Sequence, residues 1–300
     1  MIEFDDASQE HINWLRAVPF FAVHVAAVAA LFYIPPTLEL VAIAVAFYLV
    51  RMWGIIVGYH RYFSHRSFKT SRAFQLVMAL IGAAAVQKGP LWWAAHHRHH
   101  HKHSDHEPDL HSPTLRGFFW SHVGWILCDK YHHTEHHKIR DFMKYPELRW
   151  LDRHYILAPI LMGAVLWAVA GFEAFVYGGL VSTVVLWHGT FTINSLAHVF
   201  GSRRFKTKDT SRNNWFLSLI TLGEGWHNNH HYYPASARQG FYWWEIDVGY
   251  YSLKILEFFG VVWDVRGVPE RVLARAQAEK AKEKAQAAEE KARAAVAAGG

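Results

Sequence analysis

Apolar positions in this chain fall in long blocks rather than in the stripes of a water-soluble helix. Ala17–Ile34 is broken only by Pro19 and His24, and Leu40–Val57 carries a single charge, Arg51. Each block is close to the ~20 apolar residues that cross a bilayer as a helix. Pro35-Pro36 between them signals a turn. A second pair follows at Tyr155–Ala170 and Phe175–Phe191, hinged near Gly171. The pattern predicts four transmembrane helices in two hairpins, at about 17–34, 40–57, 155–170 and 175–191. Ala73–Val86 is apolar but short, which predicts a buried or interfacial helix. Asp5, Asp6 and Glu10 precede the first block where a secretory leader carries basic residues, so that block is expected to stay in the mature protein.

From Pro269 the chain turns to Ala, Glu, Lys, Arg and Gln. Strong helix formers with opposite charges at helical spacing predict a solvated helical tail over 269–300, behind one domain over 1–268.

Composition sharpens this picture. Apolar residues make up 52% and charged residues 19% of 300, which excludes a disordered chain. A mean hydropathy of −0.01 averages the blocks against the polar stretches between them. One cysteine, Cys128, excludes a disulfide framework and Cys-based zinc or iron–sulfur sites. The net charge is +6, and its distribution is topological. Of 31 basic residues, 14 lie in Gly58–Arg153 and 15 after Phe200, while the short connections Pro35–Glu39 and Gly171–Ala174 hold none. The positive-inside rule then places both polar regions and both termini in the cytoplasm. No basic surface is left over for nucleic acid.

The outlier is histidine, at 23 residues. Four clusters stand out: His60/His65, His97/His100/His101, His198 in Asn194-Ser-Leu-Ala-His198, and His227/His230/His231. Spacings of i, i+3 and i+4 put three imidazoles on one helix face. The i, i+5 pair His60/His65 converges only through a kink or end turn. Nine nitrogens exceed one ion's coordination and suit two ions with about three positions left open. Zinc has no redox chemistry, so the arrangement favours a redox-active pair. His24, His154 and His188 read as ordinary lone residues. His132, His133, His136 and His137 read as solvated. His99, His103, His106, His111 and His122 stand near the second cluster as candidate supports for ligands.

The boxes His60–His65, His97–His101 and His227–His231, with Asn194-Ser-x-x-His198, Gly223-Glu-Gly-Trp-His-Asn-Asn-His-His231 and Gly117-Phe-Phe-Trp-Ser-His-Val-Gly-Trp125, resemble the membrane-bound fatty acyl desaturases. The likeness is to the stearoyl-CoA type and runs from about Trp14 to Asp264. It implies an all-α integral membrane fold whose cytoplasmic His-rich part holds two iron ions. It implies that His60, His65, His97, His100, His101, His198, His227, His230 and His231 ligate them, and that Asn194 does so through a water. Gln87, Trp93 and Thr190 would line the bend of an acyl tunnel. No catalytic group beyond the ligands is implied. The implied reaction uses O2 and two electrons to introduce a cis double bond, at carbon 9, into a long saturated acyl chain. The electrons would come from a separate donor such as ferredoxin, cytochrome b5 or a flavin reductase.

The resemblance implies an acyl-CoA substrate, with a phospholipid-linked chain as the alternative. Two positions depart from the acyl-CoA pattern: Ala95 and Asp129 stand where basic residues hold the CoA phosphates, while Lys130 remains. A di-iron alkyl or lipid hydroxylase and a His-rich metal transporter or store are the competing readings.

Overall fold

The computed structural model describes residues 10–298, mostly helical. Three stretches are long and apolar enough to cross a membrane: Trp14–Tyr33, Leu38–Ser64 and Leu157–Val199. The first starts where the Asn13 side chain accepts from the Arg16 N–H at 3.1 Å, and Thr37 caps the second in the same way through Leu40. Most side chains of the first stretch face outward, as a helix surrounded by lipid requires, whereas the second is buried throughout Gly54–Ser64.

The second stretch runs past the predicted end at Val57. It is α-helical over Leu38–Trp53 and then widens into π-helical turns over Gly54–Ser64. The segments predicted at 155–170 and 175–191 form a single helical stretch interrupted at Gly171, whose φ of 85° and ψ of 176° lie outside the helical region. Glycine tolerates that conformation. The chain folds back there. The Phe175 ring lies over Gly163 and Leu166 packs against Gly178, contacts that a straight helix would hold ~18 Å apart at 1.5 Å per residue.

The short apolar segment forms the helix Arg72–Ala83, with Met78, Ala79 and Ala83 fully buried. It seats closely on the widened helix. A Cβ at Gly54 would come within 2.7 Å of Gly82 N, and Gly82 itself lies under the Tyr59 ring. Antiparallel pairing of Lys69–Thr70 with Val262–Trp263 ties the start of this region to its end.

Arg51, the one charge in the second block, is buried. Its guanidinium donates to the carbonyls of Phe47, Ala84 and Gly178, to Thr183 Oγ1 at 2.5 Å and to the Ser182 hydroxyl. Every acceptor is neutral. One side chain thereby joins the second stretch to the third and to the loop after the short apolar helix.

Residues 267–298 form a separate unit, the helix Glu270–Ala298. Its exposed surface carries the i, i+4 pairs Arg275–Glu279 at 2.8 Å and Arg293–Glu289 at 2.6 Å.

Candidate metal centre

Three helical elements and one helix end present the nine clustered histidines. His60 sits in the π-helical segment, where the His65 N–H bonds back to the His60 carbonyl at 3.2 Å. The wider turn carries i and i+5 onto one face, which an α-helix does not. His97, His100 and His101 occupy the last turns of Pro90–His103. That helix starts at Gly89-Pro90, and the Asp152 carboxylate accepts from the N–H groups of Leu91 and Trp92, both at 2.9 Å. His227, His230 and His231 lie on the short helix His227–Tyr232, and His198 follows the break after Asn194.

All nine come together, in two groups. His60, His65, His97, His101 and His230 form one; His100, His198, His227 and His231 form the other. Within each group the ligand atoms lie within 4.8 Å of one another. Nε2 faces Nε2 at 3.0 Å for His60–His230 and His198–His227, and at 2.9 Å for His65–His97 and His101–His230.

Four of these rings carry a carboxylate on the opposite nitrogen. Nδ1 meets Asp109 at 2.9 Å in His100, Asp105 at 3.0 Å in His198, Asp209 at 2.8 Å in His231, and Glu224 in His60. A neutral ring that donates from Nδ1 has only a lone pair at Nε2. In His100 and His231 that Nε2 is buried and finds no hydrogen-bond partner. Buried lone pairs converging on two points, with carboxylates fixing the tautomer behind them, are what a pair of transition-metal ions requires.

Electrostatics keep most of these rings neutral. Burial, followed by repulsion from neighbouring imidazoles, holds His65, His97, His101, His227 and His230 well below the ordinary value. His231 falls to about 4 for the same first reason, with Asp209 pulling the other way. Burial also opposes charge on His100, but Asp109 outweighs it and lifts that ring. Burial would raise Asp105 and Asp209, yet their hydrogen bonds to His198 and His231 hold both well below the usual carboxylate range.

A chamber opens beside the two groups. His60, His97, His100 and His227 form one wall, and Met52, Ile55, Ile56 and Ile193 form an apolar one. Asn194, Trp93 and Thr190 also line it, and Gln87 Nε2 donates to Thr190 Oγ1 at 2.7 Å. The residues expected at a tunnel bend are therefore neighbours.

Of the ambiguous histidines, His111 is buried against the His100 ring, 4.2 Å between centroids, and shares Asp109 with it. His99 and His106 bond to backbone carbonyls at Pro108 and Ser104. The run His132–His137 is exposed at its four imidazoles, with Lys88 donating to His132. His24 and His188 are not isolated as expected, since His24–His188–His122 form one hydrogen-bonded chain. The four supporting carboxylates were missed because most of their partners lie far off in the chain, His198 93 residues from Asp105 and His60 farther still from Glu224. The only local signal was Glu224 within the Gly-Glu-Gly-Trp-His motif.

Long apolar helices and a buried histidine centre beside an apolar chamber define a membrane metalloprotein that handles an apolar substrate. The fatty acid desaturase family profile matches residues 36–248, and the chain belongs to that family. It is a fatty acid desaturase, an oxidoreductase acting on a fatty acyl chain, which sets aside the metal-store reading. Among its relatives, the sn-2 palmitoyl-lipid 9-desaturase of Nostoc sp. (strain 36) is 39% identical over 221 residues, 72% of this chain and 77% of the relative. The sn-1 stearoyl-lipid 9-desaturase of Anabaena variabilis is 34% identical over 269 residues, 87% and 96% of the two chains. The acyl-CoA 5-desaturase AL21 of Anemone leveillei is 38% identical over 232 residues, 76% and 72%. The stearoyl-CoA affinity expected from the motifs gives way to this closeness to acyl-lipid enzymes.

Proposed function

We propose that the protein is an O2-dependent di-iron desaturase that places a cis double bond at carbon 9 of a chain esterified in a membrane lipid. The observation that carries this reading is the gathering of nine histidines into two groups around an apolar chamber. The reaction balances as RCH2CH2R′ + O2 + 2e⁻ + 2H⁺ → RCH=CHR′ + 2H2O. When bound, iron supplies the redox chemistry and O2 activation that imidazoles lack. The histidines ligate, and Asn194 holds a water from the chamber side. Trp93, Thr190 and Gln87 shape the wall that presents one C–C bond, which is catalysis by positioning.

Two relatives whose names specify a lipid-linked 9-desaturase support both the carrier and the carbon. The linker supports the carrier independently. Ala95 is buried with no exposed surface. Lys130 is occupied by Glu10 at 2.8 Å, and Asp129 by Arg16 at 3.0 Å and Asn13 at 2.6 Å. Those positions present no cationic cradle for CoA phosphates. Four crossings, folded back at Gly171, leave both termini and the histidines on the cytoplasmic side, where the basic residues concentrate. A separate protein delivers the electrons, residues 1–268 form the desaturase domain, and 269–300 follow it as a solvated tail.

The test is expression in a host without aerobic desaturation, supplied with a ferredoxin or cytochrome b5 reductase system and compared with His100→Ala. Mass spectrometry of separated pools should find a new cis-9 monoene first in glycerolipids. First appearance in acyl-CoA would overturn the carrier, and a hydroxy acid would overturn desaturation.

A further inference from the structure

Outside the metal centre, His24 and His188, which read as ordinary in the sequence, form a continuous chain with the candidate support His122. The His24 Nδ1–H donates to the Phe20 carbonyl at 2.7 Å, so its Nε2 accepts. His188 Nε2 lies 3.1 Å from that nitrogen, and His188 Nδ1 lies 2.9 Å from His122 Nε2. His122 Nδ1 then reaches Ser195 Oγ at 2.9 Å. With neutral rings, each ring donates toward His24, which leaves His122 Nδ1 as an acceptor, and the single Ser195 hydroxyl proton is shared between His122 Nδ1 and the Phe191 carbonyl, each 2.9 Å away. Burial followed by the neighbouring His188 ring holds His122 below its ordinary value, which keeps it neutral. Phe20, Trp187, Phe118 and Phe191 pack around the rings. His188 spends its two nitrogens on different partners, so the trio has no common point for a metal.

The chain ends at a functional break. The helix Ser182–Asn194 stops at Ser195, with φ −109° and ψ −74°, and Asn194 lines the chamber there. The two linker residues that reach this break are consecutive. Ser121 Oγ donates to the Asn194 carbonyl at 2.6 Å, and His122 Nδ1 sits 2.9 Å from the Ser195 hydroxyl. Two adjacent side chains thus hold two adjacent positions, one of which lines the chamber beside the histidine groups.

We propose that Ser121 and His122 are positioning residues that set Asn194 in the chamber, braced through His188 and His24 against the first apolar helix. The inference rests on the reading of Asn194 as the holder of a metal-side water. Losing one imidazole orphans its neighbours in an apolar setting, and the break can then turn. Displacement of order 1 Å at a reacting centre costs up to ~10²-fold in rate.

Full-length protein loaded with cobalt(II) gives a readout apart from turnover. In His122→Ala and Ser121→Ala, cobalt content should match wild type, because all nine ligands remain. The visible ligand-field spectrum should shift in the same direction as in Asn194→Ala. In the iron form, kcat should fall roughly ten- to hundredfold with KM unchanged, and His122→Gln, which keeps an amide for Ser195, should recover part of it. A wild-type spectrum and kcat in both alanine variants would overturn the proposal while leaving the desaturase reading intact. Loss of cobalt from both would also overturn it, showing a general structural role. An unchanged spectrum in Asn194→Ala would instead overturn the role of Asn194 on which the inference stands.

Discussion

The two histidine groups are unequal. Three of the four rings in the His100/His198/His227/His231 group carry an aspartate at Nδ1. In the five-ring group, among the described residues, only His60 has a carboxylate, and that carboxylate is shared with Arg61 at 3.2 Å. Arg61 also pairs with Asp247 at 2.9 Å, while Arg98 and Arg61 add positive potential at His65. One group therefore sits in a negative surround, and the other has extra imidazoles with little negative support. A carboxylate behind a ligating histidine raises its basicity and tightens metal binding. The four-ring group should hold its ion more firmly and favour the higher charge state, leaving the five-ring group the more labile. Ligand number alone ranks them the other way.

Removing a ligand tests this most severely. His230→Ala or His227→Ala should abolish turnover with the protein still in the membrane. His230→Ala should retain one tightly held ion per chain, as measured by elemental analysis, whereas His227→Ala should retain less. Equal retention would break the asymmetry. Next, Asp209→Asn should weaken the four-ring group by roughly 10–100-fold in metal affinity, read by competition with a chelator.

Acid should destabilise the metal-free fold. His96 and His231 ordinarily titrate near 6.5, but burial first of all lowers both to about 4 in the folded chain. Above pH 6.5 both states are neutral, and below it the unfolded chain binds the extra protons. Stability is thus full above about 6.5 and is lost as pH falls through about 4, which thermal denaturation of the metal-free protein in detergent can follow. Glu224→Gln should have the smallest effect, a few-fold loss at the five-ring group, because Arg61 already offsets that charge. A loss matching Asp209→Asn would show that Arg61 does not screen it.

Much of the centre could be read from residue order, for a physical reason. Helical spacing places His97/His100/His101 and His227/His230/His231 on common faces, and apolar block length marks membrane segments. Gly171, seen as a hinge, is where the backbone leaves the helix. His60 and His65 were less plain, since only a π-helical turn aligns i with i+5 and no residue type announces one. Asp105, Asp109 and Asp209 stayed hidden because a carboxylate's partner depends on how distant segments pack. His24 and His188 looked ordinary for the same reason: they meet across 164 residues. The span estimate was coarse at the ends, as Leu38–Ser64 shows, because a helix can continue past its apolar block, here by passing into π-helical turns.

The Arg51 knot has a bearing on biogenesis. Its acceptors Gly178, Ser182 and Thr183 lie 127 to 132 residues downstream. When the second apolar helix leaves the ribosome, those oxygens have yet to be synthesised. The early chain therefore carries an unsettled cation in a segment otherwise suited to lipid. Arrival of the later helices gives that charge its neutral cradle and makes insertion of the first half final. Assembly thus acquires an order, and a chain truncated before residue 178 leaves the Arg51 guanidinium with only the Phe47 and Ala84 carbonyls.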